Sequence, residues 1–221
     1  MSAAAGPAGD GDPGRLPTWL RPLAGATDSV PAEELSRFLP PDDGGRESAV
    51  LVLFGEGAQG PDVLVIQRSS KMRSHAGQPA FPGGAIDPGD AGPVAAALRE
   101  AREETGLDPS GVLVFAELPR LYLPPSGFVV APVLAWWRRP TPVDAVDPAE
   151  VESVHRVPLG ELVDPRNRMR VRHPSGHVGP AFRARGLLIW GFTAGLLSRL
   201  LVLGGWARPW DEERLEELPD L

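Results

Sequence analysis

Two short apolar runs, residues 48–54 and 62–68, stand on either side of a break punctuated by Gly55, Gly57 and Gly60. Runs of this length, dense in Val, Leu and Ile and bounded by turn residues, make buried strands, and the break between them is a hairpin. The chain is thereby committed to a sheet with covered faces. Further strands are expected at 112–118, 127–137 and 151–157, with a second hairpin formed by 169–173 and 179–183 around Pro174-Ser175-Gly176. Helical patterns occupy 31–38, 93–105 and 188–203, a helical turn covers 159–163, and a long loop runs from Ser69 to Asp90. Strands and helices alternate without repeats, which predicts one domain of α/β or α+β class.

The flanks read differently. Residues 1–17 are rich in Ala, Gly, Pro and Asp and are expected to form a disordered tail. Residues 18–45 form an N-terminal helical segment and a linker that closes on Pro40-Pro41-Asp42-Asp43-Gly44-Gly45; the domain proper spans 46–205; the acidic remainder, 206–221, is expected to be solvated. The apolar stretch 187–203 contains Arg199 and two glycines, so it reads as a buried helix and not as a membrane span. The N-terminus lacks the basic and apolar regions of a secretion signal, which points to the cytoplasm. With 22 basic and 29 acidic residues the net charge is −7, and binding to a nucleic-acid backbone is not expected. The chain has no cysteine, so disulfides, thiolate zinc sites and cysteine nucleophiles are excluded.

The helix at 93–105 carries the chemistry. At 100° per residue, Val94, Leu98, Ala101 and Thr105 share one face, while Glu100, Glu103 and Glu104 cluster on another. Glu100 is three residues from Glu103 and four from Glu104, spacings at which like charges repel by a few tenths of a kcal/mol per pair. Arg99 can pair with Glu103 and relieve part of this. A hard divalent cation would relieve the rest, since such ions take carboxylate oxygens together with substrate phosphates. The helix is preceded by Phe81-Pro82-Gly83-Gly84, where paired glycines let backbone approach a ligand closely.

The segment Arg99-Glu100-Ala101-Arg102-Glu103-Glu104-Thr105-Gly106-Leu107 resembles the signature of the Nudix hydrolases, G-x5-E-x7-R-E-U-x-E-E-x-G-U with U apolar. The front half departs from it: Asp90 stands where the signature has Glu after Gly84, and Arg99 falls one residue late. The coenzyme A pyrophosphatase subfamily has a similar spacing, and its upstream pattern R-S-x-x-L-R-x-H-x-G-Q-x-x-F-P-G-G is similar to Arg68 through Gly84, with Met72 in place of Leu. Residues 125–133 and 189–194 resemble that subfamily too.

The resemblance implies a Nudix fold, a mixed β-sheet sandwiched between helices, with a loop–helix–loop signature. It implies Mg2+ or Mn2+ as cofactor and a small-molecule substrate, coenzyme A or another nucleoside diphosphate derivative; charge and hydropathy add the expectation of no nucleic-acid or membrane partner, and a homodimer is possible. By motif position, Glu100 and Glu104 are primary metal ligands, Glu103 is a supporting ligand or water-orienting group, and the Gly84 carbonyl completes the shell. Arg99 holds Glu103 in place without touching substrate. The strip Arg68, Lys71, Arg73 and His75 is expected to bind substrate phosphates, including the 3′-phosphate of coenzyme A. His155, His173 and His177 read as structural or exposed, and Glu150 and Glu152 fit an exposed strand edge better than a second source of ligands. The alternatives are a Nudix enzyme for ADP-ribose, NADH or nucleoside triphosphates, and a catalytically silent nucleotide-binding domain. The intact glutamate set argues against the silent domain.

Overall fold

The computed structural model describes residues 15–41, 44–72, 75–124 and 126–218. Its centre is the hairpin of β1 (Arg46–Gly57) and β2 (Gly60–Arg68), paired antiparallel from Phe54↔Val63 to Gly57↔Gly60. Gly60 turns the chain with φ of +91°, a conformation that L side chains resist. On its other edge β1 runs parallel to β7 (Phe128–Trp137), from Arg46↔Phe128 to Phe54↔Trp136. β5 (Val112–Glu117) and β6 (Leu121–Leu123) pair antiparallel with β7, and β8 (Val151–Pro158) pairs antiparallel with β2. Two very short strands, β3 (Pro79–Ala80) on β2 and β4 (Gly83–Ala85) on β1, complete this mixed sheet. A second sheet contains β9 (Arg168–Arg172), β10 (Val178–Ala184), β11 (Leu187–Ile189) and β12 (Leu215–Glu217) in the order β11-β10-β9-β12.

Alternation along β1 sends its side chains to two separate cores. Ala49, Leu51 and Leu53 face Ala96, Ala97 and Ala101 of α3 (Pro93–Thr105), together with Ala131, Val133 and Ala135 of β7. Small side chains on both surfaces let this helix lie close to the sheet. Val52 and Phe54 face the opposite way, toward Leu196, Leu197 and Leu200 of α5 (Gly191–Leu203) and Leu23 of α1 (Arg21–Thr27). Each of these leucines contributes roughly 1.5–3 kcal/mol by leaving water. The main sheet therefore lies between α3 on one face and α1 with α5 on the other, as expected from the sequence. α3 begins on Pro93 and stops at Gly106, whose φ of +69° and N–H bond to the Arg102 carbonyl cap the last turn.

Several boundaries differ from the sequence expectation. The helix expected over 31–38 is confined to α2 (Ala32–Leu35), and α1 precedes it. The helix expected from 188 begins only at Gly191, because residues 187–189 pair with β10 and Trp190 is extended. The expected loop from Ser69 to Asp90 contains β3 and β4. The helical turn is α4 (Leu159–Leu162), as expected. Residues 1–14 of the expected tail lie outside the described residues, but Leu16, also assigned to it, is buried in the main core. Nearby, the Trp19 ring meets Phe54, Trp136 and Trp206 at centroid distances of 6.4, 5.8 and 5.7 Å. The acidic C-terminal segment, expected to be solvated, instead supplies β12 parallel to β9 and buries Leu218. Its acids find a basic surface there: Glu216 pairs with Arg183 and Arg214, and Glu217 with Arg172. Among the described residues, no helix is long and apolar enough to cross a membrane.

Candidate active site

Arg99 organises the outer half of the acidic cluster. Its Nε and Nη2 donate to the two Asp90 carboxylate oxygens at 3.0 and 2.9 Å, and Nη2 also donates to the Ala85 carbonyl at 3.0 Å. Its Nη1 donates to Glu100 Oε1 at 2.9 Å and to Glu103 Oε2 at 3.0 Å. Five hydrogen bonds match the five N–H donors of a guanidinium, so this side chain has no donor left for a substrate. The hydrogen bonds from Arg99, with a further one from the Asp87 N–H, hold the Asp90 carboxyl below its ordinary pKa. Asp90 is thus the acid that orients Arg99, and Arg99 in turn ties Glu100 to Glu103. The Arg99–Glu103 pairing expected from the sequence is present; the bidentate bond to Asp90 is a feature that spacing did not indicate.

Glu100 and Glu104 lie deeper, against the loop that leads into α3. A side chain on Gly84 would put its first carbon 2.5 Å from the Glu100 carboxylate carbon, so that carboxylate lies in the space a glycine leaves open. On Gly83 the same carbon would meet the Ala49 carbonyl oxygen at 2.3 Å, because β4 is pressed onto β1. The Gly83 N–H donates to Glu104 Oε2 at 3.0 Å. Glu104 Oε1 faces Arg68 Nη1 at 3.7 Å across an ion pair. Burial pushes the Glu104 carboxyl up to about 7, against the lowering effects of the Gly83 N–H and Arg68, and the charges of Glu100 and Glu150 add to the rise. Burial raises Glu100 as well, opposed mainly by Arg99. Glu103 is mostly exposed.

The described members of the basic strip stand in different settings. Arg68, at the end of β2, reaches Glu104; its Nε is buried without a hydrogen-bond partner. Lys71 is exposed on the following turn, with its N–H bonded to the Ser69 hydroxyl at 3.3 Å. His75 is exposed and adopts φ of +56°, its Nδ1 paired with Gln78 Oε1 at 3.0 Å. Arg73 lies outside the described residues. Glu150, read as a strand edge, stands beside this turn: its carbonyl accepts the Ser69 N–H at 2.8 Å, and its charge acts on Glu104. His155 bonds the Ser153 hydroxyl at 2.7 Å, in keeping with a structural role.

Among the described residues, no three acidic or imidazole side chains are already grouped around a point that could hold a metal ion. The reason is visible in the hydrogen bonds: Arg99 binds Glu100 and Glu103, while Glu104 turns to Gly83 and Arg68. The donor set nonetheless fits a hard divalent cation. Every donor is an oxygen, and Glu100 and Glu104 are adjacent turns of one helix. Both carboxylates are held above their ordinary pKa by burial, so a positive charge beside them recovers a desolvation cost already present.

A NUDIX domain family model matches residues 45–177. The chain is 38% identical to a protein of Citrobacter koseri named uncharacterized Nudix hydrolase NudL, over 162 residues that make up 70% of this chain and 81% of that one. The protein of the same name from Escherichia coli strain K12 is also 38% identical, over 160 residues with the same coverage. Among solved structures, the Nudix hydrolase RenU of M. smegmatis superposes with a TM-score of 0.53 at 17% identity, covering 79% of this chain and 98% of that chain. At that identity the likeness is one of fold.

Proposed function

The chain belongs to the Nudix hydrolases, enzymes that cleave phosphorus anhydrides, and from that membership we propose that it hydrolyses the diphosphate of coenzyme A or an acyl-CoA, giving 3′,5′-ADP and 4′-phosphopantetheine or its acyl form. The observation that carries this reading is the stretch from Arg68 to Gly84, which follows the coenzyme A pyrophosphatase pattern and runs directly into the carboxylate cluster. Its first residue meets Glu104, and its last two glycines underlie Glu104 and Glu100.

In this reading Glu100 and Glu104 hold Mg2+ or Mn2+, with the Gly84 carbonyl beside them. The cation supplies the positive charge and Lewis acidity that water attack on a diphosphate requires. Glu103, exposed and steered by Arg99, orients the attacking water. Arg99 acts as a positioning residue, since Asp90, Ala85 and the two glutamates use all of its donors. Lys71, Arg73 and His75 lie on the segment that would meet the phosphates, the 3′-phosphate of coenzyme A among them.

The test is a panel of coenzyme A, 3′-dephospho-coenzyme A, an acyl-CoA, ADP-ribose, NADH and deoxynucleoside triphosphates with Mg2+ and Mn2+, with products identified by mass. Coenzyme A species are expected to turn over fastest. One charge-assisted contact to the 3′-phosphate contributes about 1.5–3 kcal/mol, so the dephospho form should lose roughly one to two decades in kcat/KM. Faster hydrolysis of ADP-ribose than of every coenzyme A species would reject this substrate and leave a Nudix hydrolase of other specificity.

A further inference from the structure

The two arginines at the carboxylate cluster are held in opposite ways. Arg99 has every donor satisfied at hydrogen-bond distance. Arg68 meets Glu104 at 3.7 Å, too far for a hydrogen bond, and its Nε is buried with no acceptor. An unsatisfied buried donor is costly. Arg156 and Arg168 also bury an unpartnered Nε, but their guanidinium groups make hydrogen bonds, to Asp62 and to Ser198, whereas Arg68 has, among the described residues, only the long contact to Glu104. The backbone around Arg68, by contrast, is firmly placed. Its N–H donates to the Gln78 carbonyl at 3.1 Å, the next N–H donates to the Glu150 carbonyl at 2.8 Å, and the register against β8 shifts between Gln67 and Arg68. Irregularities of this kind re-aim a side chain. Here the guanidinium is aimed at the one carboxylate of the cluster that Arg99 does not touch.

We propose that Arg68 is a placeholder cation: it neutralises Glu104 until a divalent cation takes that carboxylate, and is then released with its unsatisfied donors free for a phosphate oxygen of the substrate. The proposal rests on the reading of Glu104 as a metal ligand. Two cations compete for one buried carboxylate, so pairing with Arg68 and binding of the divalent ion oppose each other. This gives the role a signature of distinctive sign. Removing a residue that merely supports Glu104 would weaken metal binding, whereas removing a placeholder strengthens it. The freed guanidinium would also find acceptors in phosphate oxygens, with which arginine donors form strong, charge-assisted bonds.

The test is titration calorimetry of Mn2+ alone into the full-length protein, for wild type, Arg68→Ala, Arg68→Gln and Arg68→Lys, with Glu104→Gln as control. Arg68→Ala and Arg68→Gln should bind Mn2+ about fivefold more tightly, the scale of one weak ion pair, and Arg68→Lys should stay close to wild type. The same two neutral variants should show a raised KM for the diphosphate substrate. Mn2+ affinity that is unchanged or weaker in Arg68→Gln, measured on protein whose circular dichroism matches wild type, overturns the placeholder role; wild-type turnover of the substrate panel then still decides the hydrolase reading separately. Wild-type protein that binds no Mn2+, or binds it as well with Glu104→Gln as without, overturns the proposal together with the metal assignment.

Discussion

Glu104 is 7% exposed and carries a carboxyl whose pKa burial has pushed up to about 7. Its folded-state value lies above the ordinary 4.5, so between about 4.5 and 7 the folded protein holds a proton that the unfolded chain has released. Stability must therefore fall as pH rises through that window. Metal-free protein is expected to lose melting temperature steadily from pH 4.5 to 7, and Glu104→Gln, which has no charge to bury, should flatten the decline; calorimetric melts across the range would show it. Excess Mg2+ should restore the lost stability above pH 7, because it favours the ionised carboxylate. Activity answers differently. Glu100→Gln and Glu104→Gln are each expected to lower kcat by roughly a thousandfold, the scale on which lost charge stabilisation slows such reactions, while the Glu104 variant melts no lower than wild type at pH 8. Near wild-type turnover in both at saturating Mg2+ would remove them from the metal site. The acidic trio and its partner Arg99 were readable from i,i+3 and i,i+4 spacing alone. The ion pair between Arg68 and Glu104 was not, because it joins a strand end to a helix distant in sequence.

The two glycines of β4, Gly83 and Gly84, do different work at the level of strand and helix. Gly83→Ala drives its new carbon against the backbone of β1, which cannot swing away, so the β4–β1 pairing should open. A cost of about 1–3 kcal/mol is expected, typical of overpacking, visible as a lower melting temperature. Gly84→Ala meets first the end of the Glu100 side chain, which can move. Its stability should stay near wild type while turnover falls by about a hundredfold, the usual effect of a misplaced catalytic group. Comparing melts and kcat for the pair separates the two roles. The same contrast explains which elements the sequence disclosed. α3 was legible to the residue because Pro93 and Gly106 mark its ends chemically. β1 and β2 were legible from apolar density bounded by glycines. β3, β4, β6 and β12 have two or three residues each, too few for a period, and exist only by virtue of their partners. The start of the helix at Gly191 carries no sequence mark, because the apolar run from Leu187 crosses strand, turn and helix without a polar break.

At the level of the whole molecule, Leu16 and the segment from Leu215 to Leu218 are tied into the body further than composition suggests. Leu16 is 3% exposed within the same core as Leu20, Leu23 and α5. Leu16→Ala is expected to cost about 2–4 kcal/mol, as a buried leucine deletion does, and removal of residues 1–17 should lower the melting temperature at least as far. A truncation before Leu215 strips β12 from β9 and uncovers Met169 and Val171, so it too should melt early. Equal melting of either truncation and the intact chain would show that the segment contributes nothing to folding. Leu16 and Leu218 show that a few well-placed leucines, not the average character of a segment, decide whether it docks. The parallel partnership of β1 with β7 has a different kind of consequence. Residue 46 finds residue 128, and the candidate site, from Arg68 through Glu104, lies in the span enclosed between them. On a ribosome, the hairpin and α3 emerge long before the strand that locks them in place. Closing so wide a loop is entropically unfavourable until its contacts form, and such topologies assemble slowly. The nascent chain therefore passes through an interval with β1 open along one edge, and that edge is where early misassembly between chains would begin.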